Sequence, residues 1–227
     1  MSVDKEYEVD MIATSAGELE ITFLGHGTLM LRFDDKVYHI DPFSNVADYA
    51  QLPKADVVLI THEHFDHLDV KALASVRTEK TVVIIAEVCA PKVEGGIVMQ
   101  NGDVRTLDGV KIETLPAYNI VHTRENGESF HPKGVGNGYM LSFGDTRVYI
   151  AGDTENIPEM KQLRDIGCAF LPMNVPYTMT PEMVADAALA MRPEILYPYH
   201  FSDTDTSRLV ELLKAQEDID VRIRNMA

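Results

Sequence analysis

The chain has 227 residues, with 36 Asp plus Glu against 20 Lys plus Arg and a formal charge of −16 with histidines neutral. That surplus repels a polyanionic backbone and argues against nucleic acid as a partner. Hydrophobic residues at 45% and charged residues at 25% give the balance of a globular chain rather than a disordered one, and the length suits one domain over 1–227.

Met1 to Glu20 is repeatedly acidic, with neither the basic start nor the apolar stretch of a secretory signal. No later apolar run nears the ~20 residues of a membrane helix, so no membrane partner is expected and the cytoplasm is the expected compartment. Leu19 to Leu24, Thr28 to Phe33 and Lys36 to Ile40 read as strands of a meander, the last two joined by the turn-forming pair Asp34-Asp35. Asp56 to Ile60 is a compact apolar run ending in a polar cluster, and Leu68 to Val76 follows with helical spacing. The polar cluster therefore lies on a strand-to-helix turn. Strands continue at Thr81 to Ala86, Ile97 to Gln100, Val104 to Leu107 and Val110 to Leu115, with Asp108-Gly109 a hairpin signal, then at Tyr139 to Phe143 and Arg147 to Ile150 about Gly144-Asp145.

Beyond these, Pro158 predicts the start of a helix and Ala169 to Pro172 a strand. Thr180-Pro181 predicts an N-cap with proline in the first turn, after which Val184, Ala187, Ala188 and Met191 share one helix face. Ile195 to Tyr199 predicts a strand, Leu209, Leu212 and Leu213 the buried face of a last helix, and Val221 to Ile223 a final strand. Two strand-rich halves closed by helices point to an α/β (α+β) chain with two sheets face to face and helices outside. Cys89 and Cys168 sit beside apolar runs and read as buried free thiols.

The informative stretch is Thr61-His62-Glu63-His64-Phe65-Asp66-His67. Residues two apart on an extended chain point the same way, so His62 and His64 can grip one cation, while Asp66 and His67, after the turn, can face a second. Glu63 and Phe65 alternate away. Burying so many polar groups without a shared partner would be costly. Two more segments offer ligands at strand ends: Asp153 in Ala151-Gly152-Asp153-Thr154, whose two oxygens could bridge two cations, and His200 in Tyr199-His200-Phe201.

With these residues the chain resembles the metallo-β-lactamase superfamily: His62, His64, Asp66 and His67 as its signature, Asp153 as its bridging aspartate and His200 as its final histidine. Phe23-Leu24-Gly25-His26-Gly27 and Ile40-Asp41-Pro42 resemble the branch containing ascorbate-6-phosphate lactonase and N-acyl phosphatidylethanolamine phospholipase D. The resemblance implies a four-layer αββα sandwich with metals at one end of the sheets and specificity set by loops. It departs at one point. The family's third histidine for the first metal is expected near Leu115-Pro116-Ala117-Tyr118-Asn119-Ile120-Val121-His122, where Asn119 stands instead, and an amide oxygen is a poorer zinc ligand than imidazole. His122 reaching back is favoured as the missing ligand. His131 from the next loop and Asn119 itself stay open, as does a mononuclear site.

Thr123 to Asn137 carries Arg124, His131 and Lys133 on a glycine-rich loop of the kind that covers sites. Arg124, Lys133 and Asn119 are candidates for holding an anionic group on a small substrate. His26 and Asp41 are candidates for orienting ligand histidines, and His39, inside a strand, reads as structural. Two cations roughly 3.5 to 4 Å apart would deprotonate the water between them near neutral pH. The hydroxide would attack a carbonyl carbon or phosphorus while Asp153 fixes the pair, and His122, His131 or a second water would protonate the leaving group. No Gly-x-Ser-x-Gly or phosphate-binding glycine loop competes. The expected activity is therefore metal-dependent hydrolysis of a small ester, lactone, amide or phosphodiester, with two zinc ions leading and manganese or iron compatible. Two alternatives are an iron-bearing redox protein on the same fold and a metabolite-binding protein with an impaired site.

Overall fold

A computed structural model describes residues 6–227; Met1 to Lys5 of the acidic opening stretch lie outside the described residues. Strands β1 (Glu8–Thr14), β2 (Gly17–Gly25), β3 (Thr28–Phe33) and β4 (Lys36–Ile40) form an antiparallel meander, to which β5 (Val57–Ile60), β6 (Val82–Ile85) and β7 (Ile97–Val98) add in parallel. The second sheet repeats that plan. Its meander is β8 (Val104–Leu107), β9 (Val110–Ala117), β10 (Gly136–Phe143) and β11 (Thr146–Ile150), and its parallel strands are β12 (Cys168–Pro172), β13 (Ile195–Tyr199) and β14 (Asp220–Val221). Asp34 and Asp35 both take left-handed φ, at 48° and 59°, as the tight hairpin between β3 and β4 requires.

Parallel strands need crossovers, and helices supply several of them: α1 (Val70–Val76), α2 (Pro181–Met191) and α3 (Ser207–Leu213). Strand periodicity then sorts the layers. In β5, Val57 and Leu59 join the core between the sheets, whereas Val58 and Ile60 face outward onto Ala72, Leu73 and Val76 of α1. Both faces being covered explains why this strand is apolar throughout. Val184, Ala187, Ala188 and Met191 of α2 pack into the core that includes the second sheet, together with Leu209 and Leu213 of α3. This is the αββα sandwich. Helix starts follow local chemistry: the Asp69 carboxylate accepts from the amides of Lys71 and Ala72, and the Thr180 hydroxyl accepts from that of Met183.

Three expectations need correction. Pro158 opens no helix but only a 3-10 turn at Met160–Gln162, because Asp165, in left-handed φ, and Gly167 follow too closely for a second turn. The strand β1 escaped the sequence reading because its outward residues Val9 and Met11 are apolar while Asp10 turns inward, the reverse of the usual alternation. Asp10 is tolerated there because it accepts hydrogen bonds from the Tyr197 hydroxyl at 2.6 Å and the Arg224 guanidinium at 2.8 Å. The last strand, read as Val221 to Ile223, is the shorter Asp220–Val221, starting one residue and ending two residues earlier. Cys89 and Cys168 are buried and free.

Candidate metal centre

The carboxyl ends of β4, β5, β11 and β13 converge at one rim, where strand ends of open sheets commonly present ligands. Asp41 follows β4, the segment Thr61 to His67 follows β5, Asp153 follows β11 and His200 follows β13. His26, just after β2, joins them. His26, Asp41 and His200 all adopt left-handed φ, at 54°, 44° and 49°. Such strained backbone in non-glycine residues persists where the surroundings enforce it, commonly at functional sites.

Two groups of ligand atoms meet around Asp153. His62, His64, His131 and Asp153 form one, with Asp153 Oδ2 3.3 Å from His131 Nε2 and 3.9 Å from His62 Nε2. His67, Asp153 and His200 form the other, with His67 Nε2 3.4 Å from Asp153 Oδ1 and His200 Nε2 3.6 Å from Asp153 Oδ2. Asp66 borders this second group, its Oδ2 lying 3.4 Å from His200 Nε2 and 3.7 Å from His67 Nε2, while His26 Nε2 meets the same oxygen at 3.0 Å. Buried polar atoms normally find partners. Here five of the eight partnerless buried side-chain atoms among the described residues fall in this cluster: His67 Nε2, His131 Nε2, Asp153 Oδ1 and both ring nitrogens of His200. Unpaired imidazole nitrogens and carboxylate oxygens aimed at one another are the donor set that a divalent cation satisfies.

The rings are oriented from behind. His67 Nδ1 donates to Asp41 Oδ2 at 2.8 Å. The same oxygen accepts from the Thr61 hydroxyl at 2.6 Å, and that hydroxyl in turn stands 3.0 Å from His62 Nδ1. One buried carboxylate thus turns the Nε2 of His67 directly, and that of His62 through Thr61, toward the cluster. His131 Nδ1 donates to the Asn119 amide oxygen at 2.7 Å and the His131 backbone amide donates to it at 3.1 Å. These partners fix the tautomers. Electrostatics follow the same layout. Burial raises the Asp153 carboxyl, but the charges of His200 and His67 and hydrogen bonds from His131 and His67 together hold it well below the carboxylate range. Burial alone would lower His67, yet Asp153 and Asp41 carry it well above the imidazole range. His62 and His64 are lowered, chiefly by burial.

The loop expectations divide. His131, not the favoured His122, stands with His62, His64 and Asp153. His122 turns its Nδ1 to Glu155 Oε1 at 2.6 Å and is not among the residues lining the cavity. Asn119 is buried behind His131 rather than facing that cavity. Lys133, read as a substrate cation, pairs with Glu159 at 2.8 Å and lies over the Tyr118 ring, while Arg124 does line the cavity. Asp41 bonds a ring nitrogen of His67, whereas His26, read as orienting a histidine, bonds the Asp66 carboxylate instead, and His39 is buried with its Nε2 on the Pro53 carbonyl at 3.0 Å.

Glu155 and Phe65 are what sequence reasoning missed. The fully buried Glu155 carboxylate accepts from the amides of Ile120, Val121 and His122 at 2.6 to 2.8 Å and from Asn119 Nδ2 at 3.2 Å. It thereby sets the path of the loop that supports His131. Its only sequence signal was proximity to Asp153. Phe65, expected to point away, lines a cavity of about 330 Å³ above the cluster together with His26, Arg124, Phe130, Tyr177 and the ligand candidates. Among the described residues no helix is long and apolar enough to cross a membrane.

Comparison with known proteins agrees with this geometry. The profile of the Beta-lactamase superfamily domain matches residues 20–200. A UPF0173 metal-dependent hydrolase of Methanopyrus kandleri is 33% identical over 194 residues, covering 81% of this chain and 84% of its own. A crystal structure from Parabacteroides distasonis, provisionally assigned as a metal-dependent hydrolase, superposes with a TM-score of 0.93 at 49% identity, over 98% of this chain and all of that one. Igni18, a metallo hydrolase of Ignicoccus hospitalis, reaches a TM-score of 0.75 at 26% identity over 92% of this chain and 96% of its own. The chain belongs to the metallo-β-lactamase superfamily, among its UPF0173 metal-dependent hydrolases.

Proposed function

We propose that the protein hydrolyses a small ester, lactone, amide or phosphodiester with two divalent cations, zinc foremost. His62, His64, His131 and Asp153 would hold one, and Asp66, His67, Asp153 and His200 the other. The observation that carries this reading is Asp153, whose buried carboxylate is common to two groups of ligand atoms, with His131 Nε2, His67 Nε2 and His200 Nε2 around it lacking any hydrogen-bond partner. Bound there, the cations supply Lewis acidity, lowering the pKa of water and polarising the oxygen under attack.

The chain's own residues set the stage. Asp153 holds the two ligand groups at a fixed separation, and Asp41, Thr61 and Asn119 keep the imidazole nitrogens pointed inward. Phe65, Phe130 and Tyr177 wall the cavity and limit the water reaching the reacting atoms. His26, whose Nε2 lies 3.0 Å from Asp66 Oδ2 at the border of the same cavity, is the side chain that would carry a proton to a leaving group. Two buried free thiols support a reducing compartment such as the cytoplasm.

The test is elemental analysis of protein purified without chelator or nickel, followed by hydrolysis assays with 4-nitrophenyl butyrate, a γ-lactone and bis(4-nitrophenyl) phosphate after loading with zinc or manganese. About two equivalents and a turnover abolished by Asp153→Ala are expected. Folded protein that takes up no metal, or turnover indifferent to Asp153→Ala, would refute the reading.

A further inference from the structure

The mouth of the cavity carries an arrangement that metal binding does not explain. Phe65 is 74% exposed and Tyr177 46% exposed, and both line the cavity with Phe130. Leaving large apolar surfaces in water is unfavourable, and grouped exposure of this kind marks a binding surface. Phe130 and Tyr177 meet edge to face with centroids 5.1 Å apart, so this wall is a packed unit rather than two loose rings.

Arg124 is the one lysine or arginine lining the same cavity. Its backbone is fixed in a tight hairpin: its amide donates to the Glu128 carbonyl at 2.7 Å, its carbonyl accepts from Gly127 at 2.9 Å, and Thr123 bridges Ser129. Its guanidinium carbon sits 4.9 Å from the Phe130 centroid. Among the described residues no carboxylate pairs with that guanidinium, although the chain carries a charge of −16. The neighbouring Lys133, by contrast, is consumed by Glu159. A guanidinium laid on an aromatic face and left unpaired at the exposed mouth of the cavity is suited to an anionic oxygen group. A cavity of about 330 Å³ holds a compact molecule, at the low end of small-ligand sites.

We infer that the substrates are small amphiphilic anions, with an apolar body between Phe65 and the Phe130–Tyr177 wall and a carboxylate or phosphate on Arg124. The inference rests on the hydrolase reading for the fate of the bound molecule, but not for its binding. Calorimetric titration of the zinc-loaded protein with 4-phenylbutyrate, its neutral amide 4-phenylbutyramide, and benzylphosphonate tests it without turnover. The wild type should bind at least one of the two anions tenfold or more tighter than the amide, and the stronger anion identifies the group recognised. Arg124→Ala should abolish that preference with metal content unchanged, Arg124→Lys should restore part of it, and Tyr177→Ala should weaken acid and amide alike. Equal binding of anions and amide by the wild type, no binding of either anion at millimolar concentration, or a preference that survives Arg124→Ala would overturn the inference. Anion binding that depends on Arg124 in a protein that hydrolyses none of the esters would uphold it and refute the hydrolase reading alone.

Discussion

Asn119→Ala isolates the device that replaces the expected histidine. Asn119 is buried and uses both ends of its amide: the oxygen accepts from His131 Nδ1 at 2.7 Å and from the His131 backbone amide at 3.1 Å, and the nitrogen donates to the Tyr177 carbonyl at 2.9 Å and to Glu155 at 3.2 Å. Glu155 keeps its other four donors, but three groups on His131 and Tyr177 lose their partner. At about 1–3 kcal/mol for each buried group left unsatisfied, partly relieved by water entering the space, the variant should lose about 3 kcal/mol of stability. Without its acceptor, His131 no longer has a fixed tautomer. Loss of such an orienting partner weakens metal binding by about 10–100-fold. Competition against a chromophoric chelator should therefore show one metal equivalent weakened by that factor, and the other, proposed above for His67, Asp66 and His200, within about threefold of wild type. A folded variant in which both affinities stay within twofold, or in which both fall equally, would refute the relay from Asn119 to His131.

His122→Ala should retain both metal equivalents and lose about 1–2 kcal/mol of stability through the bond to Glu155; loss of an equivalent by elemental analysis would restore His122 as a ligand. Burial lowers His39 from its ordinary 6.5 to about 4, opposed by its bond to the Pro53 carbonyl. The unfolded chain therefore binds this proton first, and the stability contributed by neutral His39 is complete above about pH 6.5 and lost as pH falls toward 4. At up to about 1.4 kcal/mol per pH unit, with the slope only half developed at pH 6.5, denaturant titrations at pH 6.5 and 5 should show the wild type losing roughly 1.5 kcal/mol more than His39→Gln; parallel losses would contradict this. Gly152 has φ +65° and a Cβ there would lie 2.9 Å from the Asn137 carbonyl oxygen, so Gly152→Ala should cost about 1–3 kcal/mol and displace Asp153, lowering metal stoichiometry. Full occupancy at unchanged Tm would show that Asp153 is positioned by other means.

What the sequence determined by itself is whatever depends on neighbours along the chain. The Asp-Asp and Asp-Gly hairpins, the Thr180 cap, the helix face of Val184 to Met191 and the strands of both sheets other than β1 follow from turn chemistry and periodicity. The cluster His62 to His67 was legible because its candidate ligands are adjacent in sequence, and Asp153 and His200 because each follows a readable strand. The third histidine was not. Its identity depends on the path of the loop after β9, and that path is set by Glu155, more than thirty residues away, whose buried carboxylate gathers the amides of Ile120 to His122. This contact turns His122 aside and leaves Asn119 to hold His131. The capture of Lys133 by Glu159 and the turning of Phe65 into the cavity wall likewise depend on where the irregular loops run. Periodicity is a property of regular backbone, and where the backbone is irregular only the tertiary structure decides which side chain faces the ligand cluster.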